Sequence, residues 1–448
     1  MNKYTAMIGI FLILASLSMP GYGATTPAEP EAGTKALTSA DNPVILKNEI
    51  LFERDGNNYS EVRHIALKGT NEQIGIALAE ISQKDYAAEP GRYVDPIYAK
   101  ARLQYMQKNY PAFYERMLGA AHAYNVSLEE TDLDLSILPY DIGSPGCSVV
   151  FFPPSQTENG HAMACRNMDY VTVPFSTVLE KTAAPNEIGM FARAYVLELY
   201  PEEGYASLVI GGHDLMGTIF QGMNSAGLDV EILEDDSPPV AKTPVSGARN
   251  SGIPVSLAAR MILDTCGSLE EAKLALLNNR IYFPISGQHL LIFDKYGNST
   301  IAEFFAEDGS VHFTYGSDSI RIMTNHAVAK YPTTDTFPKF DANTSSHDTF
   351  LRYKTLDDME TSHEGKYSPQ DMIDMMAAVY AEVNDDEIFQ ERAMVVTIPL
   401  RTTTNSLIDL TNGTISARFY LRDGSIDSKL GGPSPVFSPF FNFTLKKQ

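Results

Sequence analysis

The sequence predicts an α+β fold: two stacked sheets enclosed by helices, with a helical region ahead of them. Three observations carry this reading. After residue 146 the chain is dominated by short alternating or continuous apolar runs, the mark of strands buried on one or both faces. Two blocks of helical periodicity interrupt those runs, giving the order strands, helices, strands, helices, strands. Before residue 147 the periodicity is helical.

Residues 1–23 read as a secretory signal, with Lys3 as the positive start, an apolar stretch over 7–17 and Gly21-Tyr22-Gly23 as a small-x-small exit. The apolar stretch is shorter than a membrane span, and no other stretch approaches about 18 apolar residues. No cysteine near the exit invites a lipid anchor. The expected location is therefore periplasmic or secreted, as a soluble protein without membrane insertion. Residues 24–60 form a linker and the start of a pro-region, and 24–33 (Ala-Thr-Thr-Pro-Ala-Glu-Pro-Glu-Ala-Gly) has nothing apolar to pack, so disorder is expected there. Residues 61–146 are expected to be the helical pro-region or small chain, and 147–448 the catalytic domain. Length alone divides the mature chain into two or three domains, and one large layered domain with a helical extension fits equally well.

The formal charge of −22 becomes −23 when Lys3 leaves with the signal, which disfavours nucleic acid and anionic membranes as partners. Three cysteines, Cys147, Cys165 and Cys266, are an odd number for an exported chain, so at least one thiol is left unpaired. A Cys165–Cys266 bridge and two buried thiols are both compatible with the count. Nine histidines and three cysteines without metal-ligand spacing argue against a zinc site.

In chain order, residues 71–81 and 111–124 carry apolar positions at helical spacing, the latter with Phe113, Met117, Leu118 and Ala121. Strands are expected over 147–152, 192–199, 206–210, 217–221 and 228–233. Val255, Ala258, Ala259 and Ile262 share one face of a helix over 253–265, and Ser268-Leu-Glu-Glu271 is a capping box opening a helix through Leu277. Strands return at 289–294, 300–305, 311–315 and 320–324, punctuated by turns at 296–298 and 307–309. Helices follow over 345–359 and 368–380, the second with Ser368 as cap and Pro369 at its first position. Strands over 395–400, 406–410 and 415–420 close the chain, with Asn412-Gly413 as hairpin punctuation.

The chemistry concentrates at Gly146-Cys147-Ser148. If the backbone breaks before Cys147, one residue carries both a thiol nucleophile and an α-amine. That amine titrates near pH 8 and takes the thiol proton at neutral pH, which a lysine at about 10.4 does poorly.

The chain resembles the cysteine branch of the N-terminal nucleophile hydrolases, which covers penicillin acyltransferase-like proteins, choloylglycine hydrolases and acid-ceramidase-type amidases. The motifs are Gly146-Cys147-Ser148; Gly160-His-Ala-Met-Ala-Cys-Arg166-Asn167-Met168-Asp169; Gly222-Met223-Asn224-Ser-Ala-Gly227-Leu228; Leu290-Leu-Ile-Phe-Asp294 with Gly297 and Glu303; and Met323-Thr324-Asn325-His326. The resemblance spans roughly residues 147–420. It implies a four-layer αββα sandwich, autocatalytic cleavage before Cys147, and hydrolysis or acyl transfer at a linear, non-peptide amide through a thioester on Cys147.

It also implies roles. Arg166 corresponds to the family's arginine beside the nucleophile, where a fixed positive charge favours thiolate. Asp169 is expected to accept from the Cys147 amine, although Arg166 and Asp169 out of context would pair with each other on a surface turn. Asn325 matches the family's oxyanion asparagine; a neutral NH2 donates to a developing oxyanion without a competing charge. On its own it would read as a turn residue. Arg352 lies where related proteins carry a later arginine, and holds a carboxylate, supports the pocket, or is a solvated helix residue. After Gly227-Leu228 the choloylglycine branch has an asparagine, whereas this chain reads Asp229-Val-Glu231-Ile-Leu-Glu234, with Glu234 nearest in register. That departure leans away from bile salts.

The chemistry needs no metal and no organic cofactor, and the partner implied is a small-molecule N-acyl amide. The cleaved small chain is expected to stay bound, because its amphipathic helices need a surface to bury. Rival readings are a choloylglycine or penicillin V-type hydrolase, and a non-catalytic exported protein that holds an acyl ligand in the same fold. A papain-like pairing of Cys147 with His161, His213 or His326 lacks an obvious orienting partner. Ser155 and Ser225 sit in turn sequences without a nucleophile elbow.

Overall fold

Two strands, and not helices, open the described part of the chain. The computed structural model describes residues 44–129, 132–141, 146–174, 176, 187–235, 249–283, 287–305, 309–339, 347–381, 400–427 and 432–446. The expected signal, the stretch 24–33, residues 345–346 and the expected strand at 395–399 lie outside these. β1 (Val44–Phe52) pairs antiparallel with β2 (Glu61–Gly69), which corrects the linker and helical assignments made for these two stretches. The pattern was concealed because Arg63 and His64 are buried within β2, each with a partner: Arg63 donates to Asn48 Oδ1 and His64 Nε2 lies 2.7 Å from Glu198 Oε1.

The helical periodicity downstream is realised as α1 (Asn71–Tyr86), capped by Thr70, and α3 (Pro111–Ala123). Between them runs α2 (Pro96–Asn109), capped by Asp95, which the sequence reading did not anticipate because few of its residues are buried. A two-residue ladder joins β3 (Gly91–Arg92) to β4 (Leu133–Asp134).

The strands that follow are β5 (Gly146–Phe152), β6 (Met163–Val171), β7 (Arg193–Pro201), β8 (Ser207–Gly211), β9 (Gln221–Asn224) and β10 (Leu228–Glu234). β9 begins where the strand expected at 217–221 was to end. Its Gly222 lets the β8 backbone approach closely, since a Cβ there would meet Val209 Cγ1 at 2.5 Å and Leu208 O at 2.8 Å. After β11 (Ile253–Pro254) come α4 (Val255–Thr265) and α5 (Leu269–Asn278). Ser268 caps α5, but Glu271 accepts from Gly267 N–H and not from Ser268 N–H, so only half of the expected box forms. β12 (Ile281–Tyr282), β13 (Gln288–Asp294), β14 (Asn298–Phe305), β15 (Ser310–Ser317) and β16 (Arg321–Met323) precede α6 (His347–Ser362) and α7 (Pro369–Ala377). Ser368 and Asp371 cap α7 reciprocally. β17 (Leu400–Asp409), β18 (Thr414–Asp427), β19 (Gly432–Phe437) and β20 (Phe441–Thr444) complete the chain.

One sheet has the order β1-β2-β7-β8-β9-β10-β13-β14-β15, and the other β16-β5-β6-β17-β18-β19, with β20 also on β18. Side chains alternate across a strand, so each sheet feeds two cores. Val230 and Ile232 face α1–α4, while Leu233 of the same strand faces the other sheet. Cys147, Val149 and Phe151 point into the space between the sheets, whereas Val150 and Phe152 meet Met372, Met375 and Met376 of α7. The layers are therefore helix, sheet, sheet, helix, the αββα sandwich expected. Cys165 packs in the α7 core and Cys266 in the α1–α4 core, on opposite outer sides of the sandwich; both are free and buried, so the bridge is not formed.

Candidate active site

The antiparallel register of β5 and β6 sets Gly146 opposite Asp169 and Cys147 opposite Met168. This brings Arg166 diagonally alongside Cys147. Arg166 NH2 donates to Cys147 Sγ at 3.2 Å and to the Ile232 carbonyl at 2.7 Å. Its NH1 donates to Glu231 Oε2 at 2.7 Å and to the Phe220 carbonyl. Arg166, Glu231 and Cys147 are all fully buried. Burial pushes the Cys147 thiol up, and the Arg166 charge opposes that shift without overcoming it. In the uncut chain the nucleophile is therefore a buried thiol, not the thiolate expected from Arg166 alone.

The Cys147 backbone N–H donates to Asn325 Oδ1 at 3.0 Å. Arg352 NH2 donates to the same oxygen at 2.7 Å, and Asn325 Nδ2 donates to the Glu234 carbonyl at 2.7 Å. Two donors on one side and an acceptor on the other fix which way the amide faces. One Nδ2 hydrogen is thus taken by the Glu234 carbonyl. Arg352 also donates from NH1 to the Cys147 carbonyl at 2.5 Å and to Ser148 Oγ at 2.7 Å, with Nε on Asp348 Oδ2 at 2.7 Å. It is a buried part of the site and not a solvated helix residue.

Asp169 departs from its expected contact. Its Oδ1 accepts from the Thr402 hydroxyl at 2.6 Å, and Asn325 takes the Cys147 nitrogen. The cause is register: Asp169 sits opposite Gly146, one residue upstream of Cys147. A Cβ on Gly146 would lie 3.5 Å from Asp169 Cβ and 4.0 Å from Asn325 Oδ1, so the residue before the thiol is flanked by both. Burial pushes the Asp169 carboxyl up to about 6, against the opposing pull of Arg352 and Thr402.

Four of the expected residues, Cys147, Arg166, Asn325 and Arg352, thus form one hydrogen-bonded group, with Asp169 beside it. Glu234 enters through its backbone carbonyl. Glu231, which sequence reasoning passed over in favour of Glu234, is the side chain that anchors Arg166. Its signal was an acidic residue that alternates with apolar ones in a strand, on the same inward face as Asp229. Asp229, two residues back on the same face, has its carboxyl raised well above the ordinary range by burial and by Glu231. Thr349 was also missed: its hydroxyl accepts from the Asn325 N–H at 2.6 Å.

The histidines are engaged elsewhere. His161 Nδ1 meets Asp409 at 2.9 Å, His213 Nε2 meets the Tyr170 hydroxyl at 2.8 Å, and His326 is enclosed by Phe337, Phe350 and Tyr353. Asp235, His289 and Glu303 bring potential ligand atoms within 4.8 Å of one another. Both Glu303 oxygens accept backbone N–H groups and His289 Nε2 meets a carbonyl, while His289 Nδ1 faces Asp235 at 3.6 Å and Glu303 at 3.8 Å.

The model of the family described as acyl-coenzyme A:6-aminopenicillanic acid acyl-transferase matches residues 155–393, more than half of the chain and inclusive of Arg166, Asp169, Asn325 and Arg352. Comparison with curated protein sequences finds no match. Among solved structures, penicillin V acylase from Agrobacterium tumefaciens is similar at 18% identity and a TM-score of 0.39, covering 65% of this chain and 86% of that one. A mutant of conjugated bile acid hydrolase from Clostridium perfringens is similar at 16% identity and a TM-score of 0.42, covering 67% and 97%. On the family match, this chain belongs to the acyl-coenzyme A:6-aminopenicillanic acid acyl-transferase family.

Proposed function

We propose that this chain is exported and cuts itself between Gly146 and Cys147, and that the new N-terminal Cys147 then hydrolyses or transfers the acyl group of a small linear N-acyl amide. One observation carries the reading: Cys147 is the meeting point of Arg166 on its sulfur, Asn325 on its nitrogen and Arg352 on its carbonyl oxygen.

In the uncut chain the Cys147 nitrogen is an amide and has no basicity to offer. Asp169, opposite Gly146 and titrating at about 6, is the base beside the bond. It takes the thiol proton as Sγ attacks the Gly146 carbonyl carbon. The Gly146–Cys147 C–N bond then breaks, the nitrogen leaves with that proton as a free amine, and a thioester remains. Water hydrolyses the thioester, leaving a Gly146 carboxylate and a free thiol. In the second cycle the α-amine takes the thiol proton and passes it to the leaving nitrogen of the substrate. The second Nδ2 hydrogen of Asn325 donates to the oxyanion, a contact of a kind worth about 3–4 kcal/mol of barrier. Water or an acceptor amine resolves the acyl thioester.

Support for the small chain staying bound comes from the parallel β2–β7 ladder, which runs from Glu61↔Arg193 to Gly69↔Pro201. A buried charge group adds to it: Arg116 NH1 donates to Asp264 Oδ2 at 2.6 Å, Tyr110 donates to the same oxygen, and Arg260 lies 2.9 Å from Oδ1.

Intact mass of the purified protein tests the reading. The expected result is two fragments divided at Gly146–Cys147, a mature N-terminus near residue 24, and a single uncut chain for Cys147→Ala. Turnover is then read on N-acyl amino acids, N-acyl ethanolamines, bile conjugates and penicillins. Active material uncut at that bond, or a Cys147→Ala variant with undiminished turnover, overturns it.

A further inference from the structure

A buried charged group outside the reacting atoms holds the turn that carries Asn325 on both sides of it. His289 Nε2 donates to the Thr324 carbonyl at 2.8 Å, immediately before Asn325. Glu303 accepts through Oε1 from the Val328 N–H and through Oε2 from the Ala329 N–H at 2.8 Å, just after it. Asp235 follows Glu234, whose carbonyl receives the Asn325 side chain. His289 Nδ1 lies 3.6 Å from Asp235 Oδ2 and 3.8 Å from Glu303 Oε1. Asp235 is 1% exposed, and His289 and Glu303 are fully buried.

His289 lies on β13 and Glu303 on β14, neighbouring strands of one sheet, yet both reach the turn after β16 in the other, and Asp235, just past β10, faces His289. A buried carboxylate is retained only when paired and hydrogen-bonded, and Glu303 meets that condition with two backbone N–H groups and the facing imidazole. Although burial opposes it, Glu303 and Asp235 hold the His289 imidazole in its protonated form to a higher pH than usual.

We propose that Glu303 and His289 are positioning residues that lock the turn carrying Asn325, so that its amide both holds the Cys147 nitrogen and presents a hydrogen to the oxyanion. This rests on the role given above to Asn325. A side chain acting only through Asn325 loses its effect once Asn325 is removed, whereas one that merely supports the fold does not.

The test is a double-mutant cycle on the rate of Gly146–Cys147 cleavage in the full-length precursor. Glu303→Gln keeps the shape but turns an NH2 toward one of the two N–H groups. The expected slowing is about ten- to hundredfold for Glu303→Gln, given how steeply rates fall with misplacement. Asn325→Ala slows cleavage more. Glu303→Gln added to Asn325→Ala slows it by less than about twofold further, and His289→Gln follows the same pattern. Equal slowing in both backgrounds, or none in the parent, overturns the proposal. A second measurement needs no cleavage: in uncut Cys147→Ala protein, Glu303→Gln is expected to accelerate hydrogen exchange at Asn325, Val328 and Ala329 at least about tenfold, while the β5–β6 amides keep their rates. Unchanged exchange at Asn325 also overturns it. A wild-type precursor that never cuts sinks the self-processing reading alone, and the exchange result still decides this one.

Discussion

Asp169 is asked to do two things that conflict, and the conflict is measurable. Its carboxyl is fully buried and titrates at about 6, compared with 3.8 in the unfolded chain. The folded state therefore holds the proton more tightly than the unfolded state between those values. Stability falls as pH rises from about 4 to about 6 and is level on either side. Taken at about 1.4 kcal/mol per pH unit, the displacement costs about 3 kcal/mol at neutral pH. Asp169→Asn removes the charge, and its amide oxygen still accepts from Thr402. In a Cys147→Ala background, where the chain stays whole, urea unfolding is followed from about pH 4 to about pH 8. Asp169→Asn is expected to match its parent at the acid end and to exceed it by up to about 3 kcal/mol at the alkaline end. In the Cys147 chain the same substitution is expected to slow cleavage severely, because the base is gone. If both proteins show parallel stability curves, Asp169 is comfortably ionised in the fold, and neither the strain nor the choice of base stands.

Further outcomes follow from the same geometry. Arg166→Lys places one ammonium where a planar fork reaches the thiol, Glu231 and two carbonyls, and is expected to slow cleavage by about a hundredfold or more, read by intact mass over time. Asp264→Ala leaves Arg116 and Arg260 buried without their shared carboxylate; a loss of about 3–5 kcal/mol in urea unfolding is expected, with release of the small chain on gel filtration after cutting. Burial pushes His213 down to about 3, so its imidazole resonances are expected to show no titration above about pH 4; protonation near the ordinary value for histidine would mean that the aromatic layer around it is open to water.

The parts of the fold legible in the sequence are those where apolar periodicity and burial coincide. α1 and α3, the strands β5, β7, β8, β10, β13 and β14, and the Ser368 cap of α7 satisfy that condition, whereas β6, where Arg166, Asn167 and Asp169 interrupt the apolar run, was not anticipated. β1 and β2 escaped because ladder position, not pattern, buries Arg63 and His64, and their partners lie as far along the chain as Glu198. The site divides the same way. Cys147, Arg166, Asn325 and Arg352 were found through a motif, which records residue type at a spacing. Register is what a motif omits, and register sets Asp169 opposite Gly146 and not at the Cys147 nitrogen. Glu231 and Glu303 were visible only as acidic residues flanked by apolar ones within strands. Their role follows from the residues opposite them across the gap between sheets, which linear spacing does not encode.

On the proposed reading, these placements let one group of residues serve two reactions in succession. Before cleavage the thiol is held in its protonated form by burial, and its nitrogen is an amide, donating a single hydrogen to Asn325. The available base is then Asp169, on the Gly146 side. Cutting converts that nitrogen into an amine with its own proton affinity while leaving it against the same Asn325 oxygen, so the second reaction draws its base from the product of the first. Arg166 and Arg352 need not move between the two, because Glu231 and Asp348 fix them independently of the bond that breaks. Asp169 is then required for the first cut and dispensable as a base afterwards. A chain expressed to begin at Cys147, supplied with the separate small chain, is accordingly expected to keep most of its amide turnover when Asp169 is changed to asparagine. The whole precursor carrying the same change is expected to remain largely uncut. Equal losses in the two forms would show that Asp169 serves the amine as well as the first cut.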